Sequence, residues 1–81
     1  MENQSLKDIN RLQEEIMVVV DEWVHQENTP IPLQEILKQM KQAGAKSYTV
    51  VNAVSVLLRK GYIRRAVTRS NKTYYVQLRR V

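Results

Sequence analysis

The apolar residues of this chain change their spacing at Gly61, and that change restricts the folds it can adopt. Before Gly61, apolar side chains recur at intervals of three and four residues, which is the period of a helix. After Gly61 they alternate with polar side chains, which is the period of a strand. Because 81 residues support one core, the sequence predicts a single α+β domain, residues 1–81, with helices first and two strands last.

The first predicted helix extends from about Leu6 to Gln26. Ser5 can cap it, with Asp8 three residues later as a weak form of the capping box. Five adjacent apolar residues, Ile16 to Val20, cover more than one face of this helix. The helix therefore either packs on two sides or offers part of the run to another subunit.

A break and a second helix follow. Pro30 and Pro32 forbid helix and favour an extended stretch, in which Ile31 is expected to point inward. Apolar spacing then predicts a helix from about Leu33 to Ala43, and Gly44 suits the left-handed residue that ends it.

A third helix is predicted over 48–60, Tyr48 to Lys60, with Ser47 as its cap and Gly61 as its stop. One stripe of this helix is expected to face the core. Its members are Val50, Ala53, Val54, Leu57 and Leu58.

Two strands end the chain. Tyr62 to Thr68 and Thr73 to Arg79 both alternate in polarity, and the polar turn between them predicts a β-hairpin with a short basic tip.

The charges of the chain are strongly segregated. Residues 1–37 carry eight acids and two bases, whereas residues 38–81 carry eleven bases and no acid. A basic face of this kind indicates a polyanionic partner, with nucleic acid as the first choice. The alternative is a solvated basic surface without a partner.

Residue types needed for catalysis or metal binding are scarce. The chain has no cysteine and one histidine, and its two glycines both suit helix stops and do not form a phosphate loop. We therefore expect no enzyme activity, no metal and no cofactor. The polar N-terminus and the lack of a run of about 20 apolar residues predict a cytoplasmic protein without membrane contact, nucleoid-associated if the source is prokaryotic.

The order of elements resembles the winged helix-turn-helix family over about Leu6 to Leu78. The resemblance is most specific in SYTVVNAVSVLLRKGYIRR, residues 47–65, which is similar to transcription regulators of the arsenical-repressor and multiple-antibiotic-resistance types. It implies a three-helix domain with a C-terminal two-stranded hairpin as wing. It also implies sequence-specific binding of double-stranded DNA in transcription regulation, with the third helix in the major groove.

On this reading the third helix turns a set of side chains toward DNA. Asn52 can bond adenine in a bidentate pair, and Val51 and Val56 can meet thymine methyl groups, although two valines are unusual on such a surface. The recognition set is Ser47, Tyr48, Thr49, Asn52, Ser55, Arg59 and Lys60. Phosphate and wing contacts are expected from Lys46, Arg64, Arg65, Arg69, Asn71 and Lys72, with residues 69–73 as the wing tip.

A homodimer is expected, because two half-sites on one two-fold axis double the contacts with DNA. The candidate dimer surface lies on the first helix at Met17, Val18 and Val24, unless these residues complete the core of the monomer.

Two other functions stay open. The first is a winged-helix module that binds an acidic protein surface, which exposure of both Val51 and Val56 would favour. The second is binding of RNA or single strands by stacking on Tyr62, Tyr74 and Tyr75.

Overall fold

In the computed structural model of the chain, which describes residues 10–67 and 73–77, three helices and short strands form one compact domain. In chain order the elements are α1 (Arg11–Glu27), β1 (Ile31–Pro32), α2 (Leu33–Gln42), α3 (Ser47–Lys60), β2 (Ile63–Val67) and β3 (Thr73–Gln77).

Helix α1 begins at a capping box formed by Asn10 and Gln13. The Gln13 N–H donates to Asn10 Oδ1 at 2.8 Å, and the Asn10 N–H donates to Gln13 Oε1 at 3.1 Å. Asn10 has an extended backbone, so this helix begins at Arg11 and does not continue back to the predicted start at Leu6, which lies outside the described residues. The predicted cap, Ser5 with Asp8, lies outside the described residues.

One face of α1 supplies much of the core. Ile16, Met17 and Val20 are buried, and Met17 is only 1% exposed. The prediction that Met17 lies on a dimer surface is therefore wrong, because its side chain fills the monomer core. Val24 is half-buried and Val18 is 50% exposed, so Val18 is the member of that set that faces solvent.

Trp23 packs against the core, as the helical spacing predicts, but remains half-buried. Its indole Nε1 is buried and has no hydrogen-bond acceptor among the described residues.

The segment after α1 turns sharply and becomes extended. Asn28 adopts the left-handed conformation, with φ 59°, and its N–H donates to the Val24 carbonyl at 2.9 Å. Ile31 then lies in strand β1 and is fully buried, which confirms the inward orientation predicted for it.

Helix α2 starts at Leu33, as predicted, and ends at Gln42, one residue before the predicted end. Gly44 follows with φ 93°, which confirms the left-handed glycine stop. The chain then passes through Ala45 and Lys46 directly into α3.

Helix α3 begins one residue earlier than predicted. Lys46 occupies the extended cap position without a side-chain cap, so Ser47 is the first helical residue and not the cap. At the other end Gly61 has φ 81°, and the Tyr62 N–H donates back to the Leu57 carbonyl at 3.0 Å. These are the features of a glycine-terminated helix that turns directly into a strand.

Backbone pairing joins the strands in the order β1-β3-β2, with β3 antiparallel to both neighbours. Ile31 is opposite Tyr75, and Ile63 is opposite Gln77. Strand β2 is one residue shorter at its start than the predicted Tyr62 to Thr68. The predicted hairpin tip at 69–72 lies outside the described residues.

The core lies between α1, α2, α3 and the starts of β1 and β2. Its buried apolar residues are Ile16, Met17, Val20, Ile31, Ile36, Met40, Val50, Ala53, Val54, Leu57, Tyr62 and Ile63. Among the described helices, none combines the length and apolarity that crossing a membrane requires.

Candidate nucleic-acid interface

Helix α3 has one apolar face and one polar face, and its apolar face packs into the core. Val50, Ala53, Val54 and Leu57 are buried, while Leu58 is half-buried. Of the residues that the helical period turns outward, Val56 is half-buried and the others are exposed. The predicted recognition set is exposed throughout, namely Ser47, Tyr48, Thr49, Asn52, Ser55, Arg59 and Lys60. The predicted division of the helix into a core side and a free side is confirmed for these residues.

Four of these side chains follow one line along the helix, which we call the polar stripe: Tyr48, Asn52, Ser55 and Arg59. Their spacing of three and four residues places them one above the other over about 16 Å of helix. Tyr48 is 67% exposed at the start of the stripe. The stripe thus carries an aromatic hydroxyl, an amide, a hydroxyl and a guanidinium in succession.

The two valines predicted to face outward differ in exposure. Val51 is 41% exposed beside the polar stripe, whereas Val56 is half-buried. Exposure of both was the feature that would favour a protein-binding surface, and the structure leaves only Val51 open.

Cationic side chains lie beyond both ends of the polar stripe. Lys46 precedes α3, and Arg64 and Arg65 follow it in β2; all three are exposed. Arg64 Nη1 donates to the Arg65 carbonyl at 3.4 Å, a weak contact that leaves both guanidinium groups at the surface. Arg69, Asn71 and Lys72, the predicted wing residues, lie outside the described residues.

Arg59 and Lys60 also have a structural role. Both lie in the last turn of α3, where positive charge interacts favourably with the helix dipole. The positive charges of these two residues therefore stabilise the helix end whether or not a ligand is bound.

A shallow groove connects the helix to the strand. It has a volume of about 450 Å³ and lies between α3 and β2. We call it the basic groove; its lining is Ser55, Leu58, Arg59, Ile63, Arg64 and Arg65. The lining combines three arginines with Leu58, Ile63 and a serine, and guanidinium groups are suited to hydrogen-bonding carboxylate or phosphate.

All acidic residues of the chain precede Lys38 in the sequence. No described carboxylate pairs with Arg59, Arg64 or Arg65, and every charged side chain after Glu35 in the sequence is basic. Glu35 itself accepts a hydrogen bond from Gln39 Nε2 at 3.1 Å within α2. The charges of these three exposed arginines therefore face solvent and counter-ions.

Helix α1 exposes acidic side chains. Glu15 and Glu22 are exposed on either side of Val18, and Glu15 pairs with Arg11 at 3.3 Å. Such an exposed pair contributes little to stability.

Sequence reasoning missed some residues of this surface. Leu58 was placed in the core stripe, yet it also lines the basic groove with Ile63. Exposed Lys38 and Lys41 on α2 extend the positive surface. The sequence from Leu58 to Arg65 could have indicated this groove, because a helix that ends and a strand that starts on either side of one glycine must lie close together.

Within the described part of the chain, no three acidic or histidine side chains come together as a possible metal site. Neither a protein-family model, nor a curated protein, nor a solved structure matches this chain.

Proposed function

We propose that this chain is a winged helix-turn-helix protein that binds double-stranded DNA in a sequence-specific manner, as a small transcription regulator. In this proposal α3 enters the major groove and residues 69–73 form the wing. The observation that supports it is the exposed polar stripe of α3, flanked on both sides by cations and free of acids. Both features suit major-groove recognition, in which cations contact phosphates and polar side chains contact base edges.

The cations and the polar stripe would contact different parts of the DNA. Lys46, Arg64 and Arg65 would contact phosphates and set the register of the helix on the duplex, because long cationic side chains around a recognition element grip the backbone. Asn52 and Ser55 would face base edges, since they lie in the middle of the polar stripe.

Helix α2 would contribute to backbone binding. In a helix-turn-helix the helix before the recognition helix crosses the DNA backbone, and exposed Lys38 and Lys41 lie on that helix here. The short connection 43–46 keeps α2 and α3 adjacent, as this arrangement requires.

The test is the binding of random-sequence duplex DNA, followed by fluorescence anisotropy over a series of salt concentrations. Arg59→Ala removes one positive charge from the edge of the basic groove. We expect it to weaken binding and to reduce the slope of log K against log salt by about 0.9, the contribution of one phosphate contact.

Arg11→Ala is the matched control for this experiment. It removes the same charge from an exposed arginine on the acidic helix α1. An effect of net charge alone would be the same in both variants, whereas a phosphate contact at Arg59 leaves the Arg11 variant close to wild type. Absence of binding even at low salt would overturn the proposal.

A second candidate function is binding to an acidic protein surface within a larger assembly. Tyr48, Val51 and Arg59 lie exposed on one helix, and tyrosine and arginine are enriched where proteins meet. This candidate would take the lead if duplex DNA does not bind.

The proposed regulator would act as a homodimer, with Val18 at the centre of the dimer surface and half-buried Val24 on the same helix. Two copies on one two-fold axis would place two α3 helices on successive turns of the duplex. One exposed valine covers little of the roughly 800 Å² that each partner buries in a stable interface, so much of the surface would be polar.

A further inference from the structure

Val51 is an apolar side chain on a surface that is otherwise polar and cationic. It is 41% exposed in the second turn of α3, next to Asn52 in sequence and beside the polar stripe. Nothing in the stability of the helix calls for it, because valine is a poorer helix former than alanine and exposed apolar surface gains nothing from folding. Single exposed apolar side chains are common on protein surfaces, so it is the position of Val51 beside Asn52 on the exposed side of α3, and not exposure alone, that bears on a ligand.

Its position limits the possible contacts. Residues 51 and 52 lie in the N-terminal half of α3, the half of a recognition helix that reaches base edges. Val56, the other outward valine, is half-buried and lies one and a half turns later. Val51 is thus the valine of α3 with methyl groups free for a ligand.

The chemistry of the major groove supplies one apolar partner. Thymine alone presents a methyl group there, and adenine presents the donor and acceptor pair that an amide can bond twice. An exposed valine next to an exposed asparagine matches adjacent features of A·T base pairs.

We infer that Val51 reads a thymine 5-methyl group and Asn52 the adenine of the same or the next base pair, so that the chain selects A·T pairs at the centre of its site. This inference rests on the proposed function and adds a specificity to it. Lys46, Arg59 and Arg64 would hold the helix at the groove without regard to sequence.

The magnitude of the valine contact follows from its size. Burying one methyl group against an apolar side chain is worth about fourfold in affinity. Deoxyuridine in place of thymidine removes that methyl group and keeps every hydrogen bond of the base pair.

The experiment begins with selection of bound sequences from random duplexes by the wild-type protein. Thymidine in the selected site is then replaced by deoxyuridine, one position at a time, and Kd is measured for wild type and for Val51→Ala. We expect one position where deoxyuridine weakens wild-type binding about fourfold and leaves Val51→Ala binding unchanged.

Gln26→Ala is the control, because it also places alanine at an exposed helical position, on α1, at a residue assigned neither to DNA nor to the dimer surface. It should keep the full response to deoxyuridine. Both variants place alanine at an exposed helical position, so neither is expected to destabilise the fold.

The outcomes separate the two proposals. Equal deoxyuridine effects in wild type and Val51→Ala, or a selected site without A·T pairs, would overturn the valine contact while DNA binding stands. Salt-dependent binding with no selected sequence would also overturn it. No binding to any duplex would remove the proposed function and this inference together.

Discussion

Three asparagines in the described chain have the same side chain and three different roles. Asn10 caps α1 through its side-chain oxygen, and Asn28 ends α1 in the left-handed conformation. Asn52 is exposed on α3. The role of each asparagine depends on the backbone around it. The same amide side chain accepts a hydrogen bond from an N–H at a helix start in one place and faces solvent in another.

Asn10→Ala is expected to destabilise the fold by about 1 kcal/mol, because it leaves the Gln13 N–H without its acceptor. For a domain of this size that loss lowers Tm by roughly 4–8 °C. Thermal unfolding followed by circular dichroism measures it, and DNA affinity should not change at temperatures where the variant is folded.

Asn52→Ala is the matched control and should show the opposite behaviour. Its Tm should stay the same or rise slightly, because alanine is the better helix former, while affinity for a selected duplex falls. If Asn10→Ala left Tm unchanged, the capping box would contribute nothing to stability.

At the scale of elements, the junction of α3 and β2 builds the basic groove. Gly61 ends the helix with φ 81° and lets the chain turn into β2 within two residues. Arg59 before the turn and Arg64 after it therefore lie on two sides of one groove. A longer connection between α3 and β2 would move these two arginines apart.

Gly61→Ala is expected to cost about 1–2 kcal/mol, because a Cβ makes the left-handed conformation unfavourable. Gly61→Asn should cost less, since asparagine tolerates this conformation better than other residues, as Asn28 does in this chain. Urea unfolding with unchanged m-values gives both numbers. Equal losses for alanine and asparagine would mean that backbone conformation is not the cause.

At the scale of the whole molecule, charge is segregated along the chain, because every acid lies at or before Glu35 and eleven of the thirteen bases lie at or after Lys38. Helix α1 exposes Glu15 and Glu22 around Val18, while α3 and β2 expose the cations. In an antiparallel pair of α1 helices centred on Val18, Glu15 of one copy would approach Glu22 of the other. Like charges this close oppose association until salt screens them.

If the proposed dimer forms through Val18, salt should strengthen it while weakening DNA binding. Val18→Glu adds a further carboxylate at the centre and should leave a monomer at every salt concentration. Sedimentation velocity without DNA measures both effects. Val51→Glu, the same substitution on α3, should keep the wild-type behaviour, and a wild-type monomer at all salt concentrations would contradict a dimer through α1.

Much of the fold was predictable because it is local. The period of α3 follows from backbone geometry, so the outward positions of Tyr48, Asn52 and Arg59 could be read from spacing. Gly44 and Gly61 indicate helix ends in the sequence, because glycine adopts the left-handed conformation without steric cost. The inward orientation of Ile31 follows from the extended backbone that its two neighbouring prolines impose.

Errors arose where the choice depended on distant residues or on competing caps. Ser47 was a plausible cap, yet Lys46 occupies the cap position before α3, and the capping box that starts α1 is formed by Asn10 and Gln13. Two polar residues near a helix start cannot be ranked from sequence alone when each can satisfy the same N–H groups.

The order of the elements, the core side of α3 and the separation of charge are properties of the chain that its sequence already contains. Tertiary packing settles the burial of Met17 beside exposed Val18, the different exposure of Val51 and Val56, and the pairing of β1 with β3. The side of a helix on which a residue lies depends on its spacing from residues a few positions away, and the sequence gives that spacing directly. Which of two adjacent apolar side chains is covered depends on elements that are distant in sequence and become neighbours only when the chain folds.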